Sequence, residues 1–254
     1  MTNIDAIAIE QEFIDELALF KHEIEFAIKY FYQNITFNNV LMIDHRASSV
    51  VNSTPMFWIT AMGSLQDSMF MVLGRIFDES SKHNINVLVG MAQNNLIIFS
   101  EKSFRERKLR NGYIAPGLLD ALVRDIYIPT PKDFRELRKK ISSYRKIYEK
   151  VYRDIRSKVI AHRELCKVDD VSSLYSRTNI TEIEKLLISL KQIYEVLHGA
   201  LVMGKKPEFK AVECYFPNGK EPKSYALQRC SLQEDVIMET QKLVAILSSV
   251  ASDQ

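Results

Sequence analysis

Arg156 and His162, six residues apart in Arg156-Ser157-Lys158-Val159-Ile160-Ala161-His162, are the pair in this sequence best suited to chemistry. An arginine fork fits a phosphate, or the negative charge that develops on one during reaction. A histidine, whose ordinary pKa lies near neutrality, fits proton transfer. The pair closes the run from Thr130 to Glu164, which is dense in Lys and Arg and carries Tyr144, Tyr148 and Tyr152. Asp154, Ser157, Lys158 and Glu164 stand close by in sequence as polar support. Cations, a proton carrier and no sulfur-rich cluster point to a site that binds or cleaves RNA.

Other chemistries leave no trace. The chain contains no GxGxxG or GxxxxGK[ST] phosphate loop, no GxSxG and no HExxH. His162 and Cys166 have a spacing that could hold zinc on successive turns, but Cys214 and Cys230 have no local partner. Zinc ligands come in close pairs, so no metal and no cofactor are expected. Three cysteines without a CxxC pair suit a reducing compartment. No apolar run approaches the ~20 residues of a membrane span, and the N-terminus is acidic and amphipathic, unlike a signal peptide. The expectation is a cytoplasmic protein without a membrane partner.

Charge is distributed unevenly. The net charge is +2, yet residues 1–30 hold seven acidic against two basic side chains, and residues 101–164 hold eighteen basic against nine acidic. A basic block in a nearly neutral chain is a candidate polyanion face. Lys102, Arg105, Arg107, Lys108 and Arg110, with Arg153, are the expected grip on an RNA backbone, which makes binding salt-dependent. The competing reading is that the acidic N-terminal helix packs against this block and cancels it.

The elements that must position these residues read as helices throughout. Eight glycines and seven prolines in 254 residues favour long helices over short strands. A first helix is expected over 4–32, then a long Asn- and Ser-rich loop over 33–53. Thr54 and Pro55 open a second helix to about Asp78, expected to be central and mostly buried, with Asp67 and Arg75 its partly buried charges. Shorter helices follow at 84–99, 101–111 and 115–127. Thr130, Pro131 and Asp133 start one continuous helix to Glu164. After a polar loop at 165–178, Asn179 or Thr181 caps a helix that Gly204 ends. An Asn-Gly hairpin is expected within 209–225, and Ser231 with Glu234 caps a final helix, Leu232–Val250. The expected architecture is an all-α helical bundle over 1–204 with a C-terminal appendage, hairpin or loop plus helix, over 205–254.

On a regular helix Tyr144, Tyr148, Val151, Ile155, Val159 and His162 share one stripe. His162 therefore also reads as a core histidine bonded to a carbonyl. Six residues at ~100° each leave Arg156 and His162 about 120° apart around a helix, so both reach one atom only if the last turn loosens or a second chain contributes.

The segment from Arg156 to His162 resembles the Arg-x(4–6)-His motif of the HEPN superfamily (higher eukaryote and prokaryote nucleotide-binding domains), with Ala161 before the histidine and Glu164 after it. The helix Leu65–Ser80 resembles the one that precedes this motif in the abortive-infection branch, where Asp67, Arg75, Phe77 and Asp78 match an Asp, an Arg and a Phe-Asp pair. The resemblance covers roughly residues 1–203. Two departures stand out: Ser157 replaces the usual Asp, Asn or His, and Glu164 replaces Asp.

The resemblance implies an all-α fold and a metal-independent endoribonuclease, a toxin or antiphage effector. By the same resemblance the motif meets its copy in a homodimer and an antitoxin protein can pair with it. His162 would be general acid or base and Arg156 the phosphorane stabiliser, supported by Asp67, Arg75, Asp154, Ser157, Lys158 and Glu164. Two alternatives stay open. One is a non-catalytic HEPN-like module that binds RNA, nucleotide or a partner, as Ser157 suggests. The other is a structural bundle with His162 in its core.

Overall fold

The computed structural model describes residues 3–110, 112, 115–161, 167–209 and 232–250. These residues are helical with no strand among them, as the scarcity of breakers predicts. The order is α1 (Asn3–Leu41), α2 (His45–Ser53), α3 (Pro55–Phe77), α4 (Ile85–Asn94), a 3₁₀ turn (Leu96–Phe99), α5 (Glu101–Arg110), α6 (Pro116–Arg124) and α7 (Pro131–Ile147). Two π-helical turns follow, Tyr148–Tyr152 and Ile155–Ala161, then α8 (Val168–Tyr175), α9 (Ile180–Met203) and α10 (Leu232–Val250). The hairpin expected within 209–225 falls outside the described residues apart from its first position.

The chain divides into two compact units. The first draws on the described residues of Met1–His22, Arg75–Tyr152 and Thr178–Cys214, the second on those of Glu23–Gly74, Arg153–Arg177 and Tyr215–Gln254.

The first unit is built on an aromatic centre. Phe99 meets Phe13 edge-on at 5.8 Å and Phe134 at 5.4 Å, and all three are buried. Phe77 stacks on Tyr148 at 5.2 Å, and the Tyr148 hydroxyl donates to Asp78 at 3.2 Å. Two of the caps read from sequence form, while the Ser231 cap lies outside the described residues. Asp133 accepts from the Thr130 N–H and hydroxyl, both at 2.7 Å, with Pro131 at the first position of α7. Asn179, rather than Thr181, caps α9, accepting from the N–H groups of Thr181 and Glu182.

Gly204 ends α9 in the left-handed region at φ 61°, where a side chain would also collide with Ile126 at 2.6 Å. Length and hydropathy alone would let α9 cross a membrane, but half of its apolar window is buried. Leu186, Leu187, Leu190 and Leu197 are fully covered, so α9 serves this unit as a core helix.

The second unit corrects the loop expected over 33–53. Here α1 continues to Leu41 and α2 follows at once. The asparagines that read as loop formers serve the helix instead. Asn38 donates to the Asn34 carbonyl at 2.9 Å, and Asn34 donates to the Met62 carbonyl on α3 at 2.8 Å. Burial supplies the rest, because Phe37 and Ala47 form a cluster with Val244 of α10. Phe37 also stacks on Trp58 at 4.9 Å. Asp44 caps α2 and accepts from Ser248 at 3.0 Å, which its neighbouring backbone donors reinforce by holding the carboxyl below its usual pKa.

The expectation of a mostly buried second helix holds only for its C-terminal half. Met69, Val72 and Leu73 are buried, whereas Met56, Phe57 and Ile59 at its start are exposed. A polar loop at 165–178 was also expected, yet Val168–Tyr175 is the helix α8.

Charge is settled in the first unit by one carboxylate. Glu10, 4% exposed, accepts from Arg107 at 2.8 Å and also from Arg110. Arg107 is itself 5% exposed and donates further to the Leu201 and Ile98 carbonyls. Four elements, α1, α5, α9 and the 3₁₀ turn, thus meet at one guanidinium. Glu10→Gln is expected to destabilise the fold by about 3–5 kcal/mol, because it leaves a buried arginine without its counter-charge. Urea unfolding of the variant beside the parent measures this directly.

Candidate functional site

Arg156 lies in the second unit, on the π turn Ile155–Ala161 that follows the first π turn after α7. The run from Thr130 is therefore not one regular helix. Its last turns are wound with i→i+5 bonds, which place more residues in each turn than an α-helix does. The 120° separation derived for regular winding does not carry over unchanged to Ile155–Ala161. Wider winding also enlarges the inward face: Tyr148, Val151, Tyr152 and Ile155 are all buried, while Tyr144 and Val159 at the edges are half-buried. His162 and Glu164 lie outside the described residues, as does Cys166.

The Arg156 side chain is half-buried and laid along α3. A Cβ placed on Gly74 would stand 2.8 Å from its Nε and 3.2 Å from both Cδ and Cγ. Nε is sealed from solvent. One and two turns earlier on α3, in the same unit, are Phe70 and Asp67. Tyr175 of α8 meets the Phe70 ring at 6.2 Å and donates its hydroxyl to Asp67 at 3.3 Å. Burial, and then the Asp67 charge, push the Tyr175 phenol up to about 12. Asp67, Phe70 and Gly74 follow steps of three and four, so α3 offers one face to both the arginine turn and α8.

The supporting residues separate. Asp67 and Arg75 are exposed, which corrects the expectation of partly buried charges; α3 turns its polar positions outward. Asp154 accepts from Lys158 at 3.1 Å, one helical turn on, so these two form a local pair. Ser157 is half-buried on the arginine turn. Sequence reasoning missed Gly74 and Tyr175. Gly74 has no side chain to signal a contact, and Tyr175 falls in the stretch expected as a polar loop.

The basic stretch of α5 is largely consumed within the first unit. Arg107 is a correction: buried on Glu10, it cannot present its guanidinium to a phosphate. Arg110 shares Glu10, and Arg105 bonds Glu101 at 3.0 Å and Asp120 at 2.6 Å, carboxylates that raise its pKa. Lys108 sits 5.2 Å over the Phe104 ring and Lys102 stands 4.0 Å from Glu106. The acidic N-terminal helix cancels part of the block, as the competing reading had it.

On α7 of the first unit, Lys132, Arg135, Lys139 and Lys146 are exposed at helical steps on its outer face, and Glu136 pairs with Lys139 at 2.9 Å. Arg153, in the second unit, is exposed too.

A family model for AbiU2, of the HEPN type, matches residues 10–205. The chain is a HEPN protein of the AbiU2 family. No curated protein and no solved structure matches it. The matched span takes in most of α1, all of α2 through α9, and the whole Arg156–His162 segment. The abortive-infection branch named by the resemblance is the branch of this family. The final helix α10 lies beyond the matched residues of the HEPN domain.

Tyr175 and the buried Tyr152, whose phenol burial also pushes up to about 12, yield a pH expectation. Both folded pKa values lie above tyrosine's ordinary value of 10.0, so the stability they contribute is complete below pH 10.0 and is lost as pH rises toward about 12. Thermal melts from pH 9 to 12 should show this loss, and a Tyr152→Phe, Tyr175→Phe variant should lose less across the same window.

Proposed function

We propose that this HEPN protein is a metal-independent endoribonuclease that acts in abortive infection or growth arrest. Membership of the AbiU2 family supports the reading, together with the Arg-x(4–6)-His motif inside the matched residues. The observation that carries it is the seating of Arg156, half-buried against α3 on a loosened turn, six residues before His162. A preheld guanidinium in a partly desolvated place stabilises developing phosphorane charge better than one moving in water.

In this reading the ribose 2′-oxygen attacks the adjacent phosphorus and gives up its proton to a base. The P–O5′ bond breaks, and the leaving 5′-oxygen takes a proton. Two copies of His162 across a homodimer would supply the base and the acid, with an Arg156 beside the phosphoryl oxygens. The products carry a 2′,3′-cyclic phosphate and a 5′-hydroxyl. Arg156→Ala or His162→Ala should lower cleavage by at least about 10²-fold while leaving helix content unchanged. A chelator should leave the parental rate unchanged. Cleavage by both variants at the parental rate contradicts the reading.

In this reading the exposed stripe of α7, rather than the buried Arg107, supplies the RNA backbone contact. Lys132→Gln, Arg135→Gln and Lys146→Gln should each weaken RNA binding and reduce the salt slope by about 1. Arg105→Gln, already committed to two carboxylates, should change that slope little. Titrations at several salt concentrations make the comparison.

A second reading, a non-catalytic RNA- or partner-binding module, draws on Ser157 in place of the family's polar residue and on the Asp154–Lys158 pair. It gives RNA affinity without cleavage products. An antitoxin partner belongs to either reading.

A further inference from the structure

We propose that Gly74 is a positioning residue for Arg156, and that the missing side chain at this point of α3 is what holds the guanidinium in place. The inference rests on the reading of Arg156 as the phosphorane stabiliser. The approach is close along the stem and not only at the tip: a Cβ on Gly74 would be 2.8 Å from Nε and 3.2 Å from both Cδ and Cγ. A flexible tip can swing away from a new methyl group. Cγ is fixed by the first side-chain torsion, so moving it requires another rotamer or a shift of the arginine turn.

Backbone conformation does not explain this glycine. It lies in the interior of α3, and among the described glycines only Gly112 and Gly204 have positive φ. A glycine inside a helix is unfavourable relative to alanine, so a close approach is the remaining physical reason for one here. Gly63, in the same helix, has nothing within 4 Å of an added Cβ and serves as the internal control. Gly74 and the sealed Nε of Arg156 are both buried. The arginine therefore rests on α3 backbone, with fewer orientations than an exposed side chain has. Preorganisation of this kind sustains electrostatic catalysis, and misplacement by about 1 Å costs about 10²-fold.

The test uses the full chain and five proteins: parent, Gly74→Ala, Gly63→Ala, Arg156→Ala and the Gly74→Ala, Arg156→Ala double variant. Single-turnover cleavage at saturating RNA should fall about 10- to 100-fold in Gly74→Ala, with RNA affinity within about twofold of the parent, while Gly63→Ala keeps the parental rate.

Thermal melts add a readout that does not require activity. Alanine at 74 should lower Tm in the parent but raise it by about 2 °C when Arg156 is already alanine, since the clash is gone and the helix gain remains. A parental cleavage rate in Gly74→Ala, or an equal Tm shift with and without Arg156, overturns the assignment of Gly74. A parent that cleaves no RNA overturns the proposed function instead, and the melts then judge the Arg156–Gly74 contact by themselves.

Discussion

One carboxylate decides how the first unit presents its charge. Glu10 on α1 takes Arg107 and Arg110 of α5, and Arg107 also bonds the Leu201 and Ile98 carbonyls. A guanidinium has donors and no acceptor, so burying it demands a counter-charge and carbonyl oxygens around it. The arrangement fixes α1, α5, the 3₁₀ turn and the end of α9 together. It also removes two cations from the most basic stretch of the sequence. The outer face of α7 keeps an exposed cationic stripe, Lys132, Arg135, Lys139 and Lys146, with Glu136 paired to Lys139.

The helices were legible where capping chemistry is local. Thr130-Pro131-x-Asp133 and Asn179 each mark a helix start within four residues, and Gly204 marks an end that only glycine adopts without strain. Residues 33–53 were not legible, because Asn34 and Asn38 read as loop formers until their partners are known. Those partners, the Met62 carbonyl and the Asn34 carbonyl, come from tertiary packing and from the helix itself. The π winding at Ile155–Ala161 was equally hidden, since apolar steps of three and four suit a regular helix. Likewise, sequence placed Arg107 in a basic run but could not show that Glu10, nearly a hundred positions earlier, would bury it.

The candidate site was legible as residues and not as geometry. Arg156 and His162 stand out from type and spacing alone, and the family assignment over residues 10–205 places them in a HEPN domain. What holds the arginine could not be read: Gly74 is separated from it by more than eighty positions and has no side chain to signal a contact. Tyr175 was concealed in the same way, because α8 has a sequence rich in Asp and Ser that resembles a loop. The face of α3 that carries Asp67, Phe70 and Gly74 therefore connects two signals that sequence kept apart, the motif helix and the helix before it.

The central claim is a reaction: transfer of the 2′-oxygen to phosphorus at Arg156 and His162, with no metal ion required. Its most direct test is to digest a structured RNA with the purified full chain in a chelating buffer and to identify the ends of the fragments. The account predicts 2′,3′-cyclic phosphate and 5′-hydroxyl ends. Fragments bearing 3′-hydroxyl and 5′-phosphate ends, or cleavage that appears only when a divalent metal is restored, would contradict it.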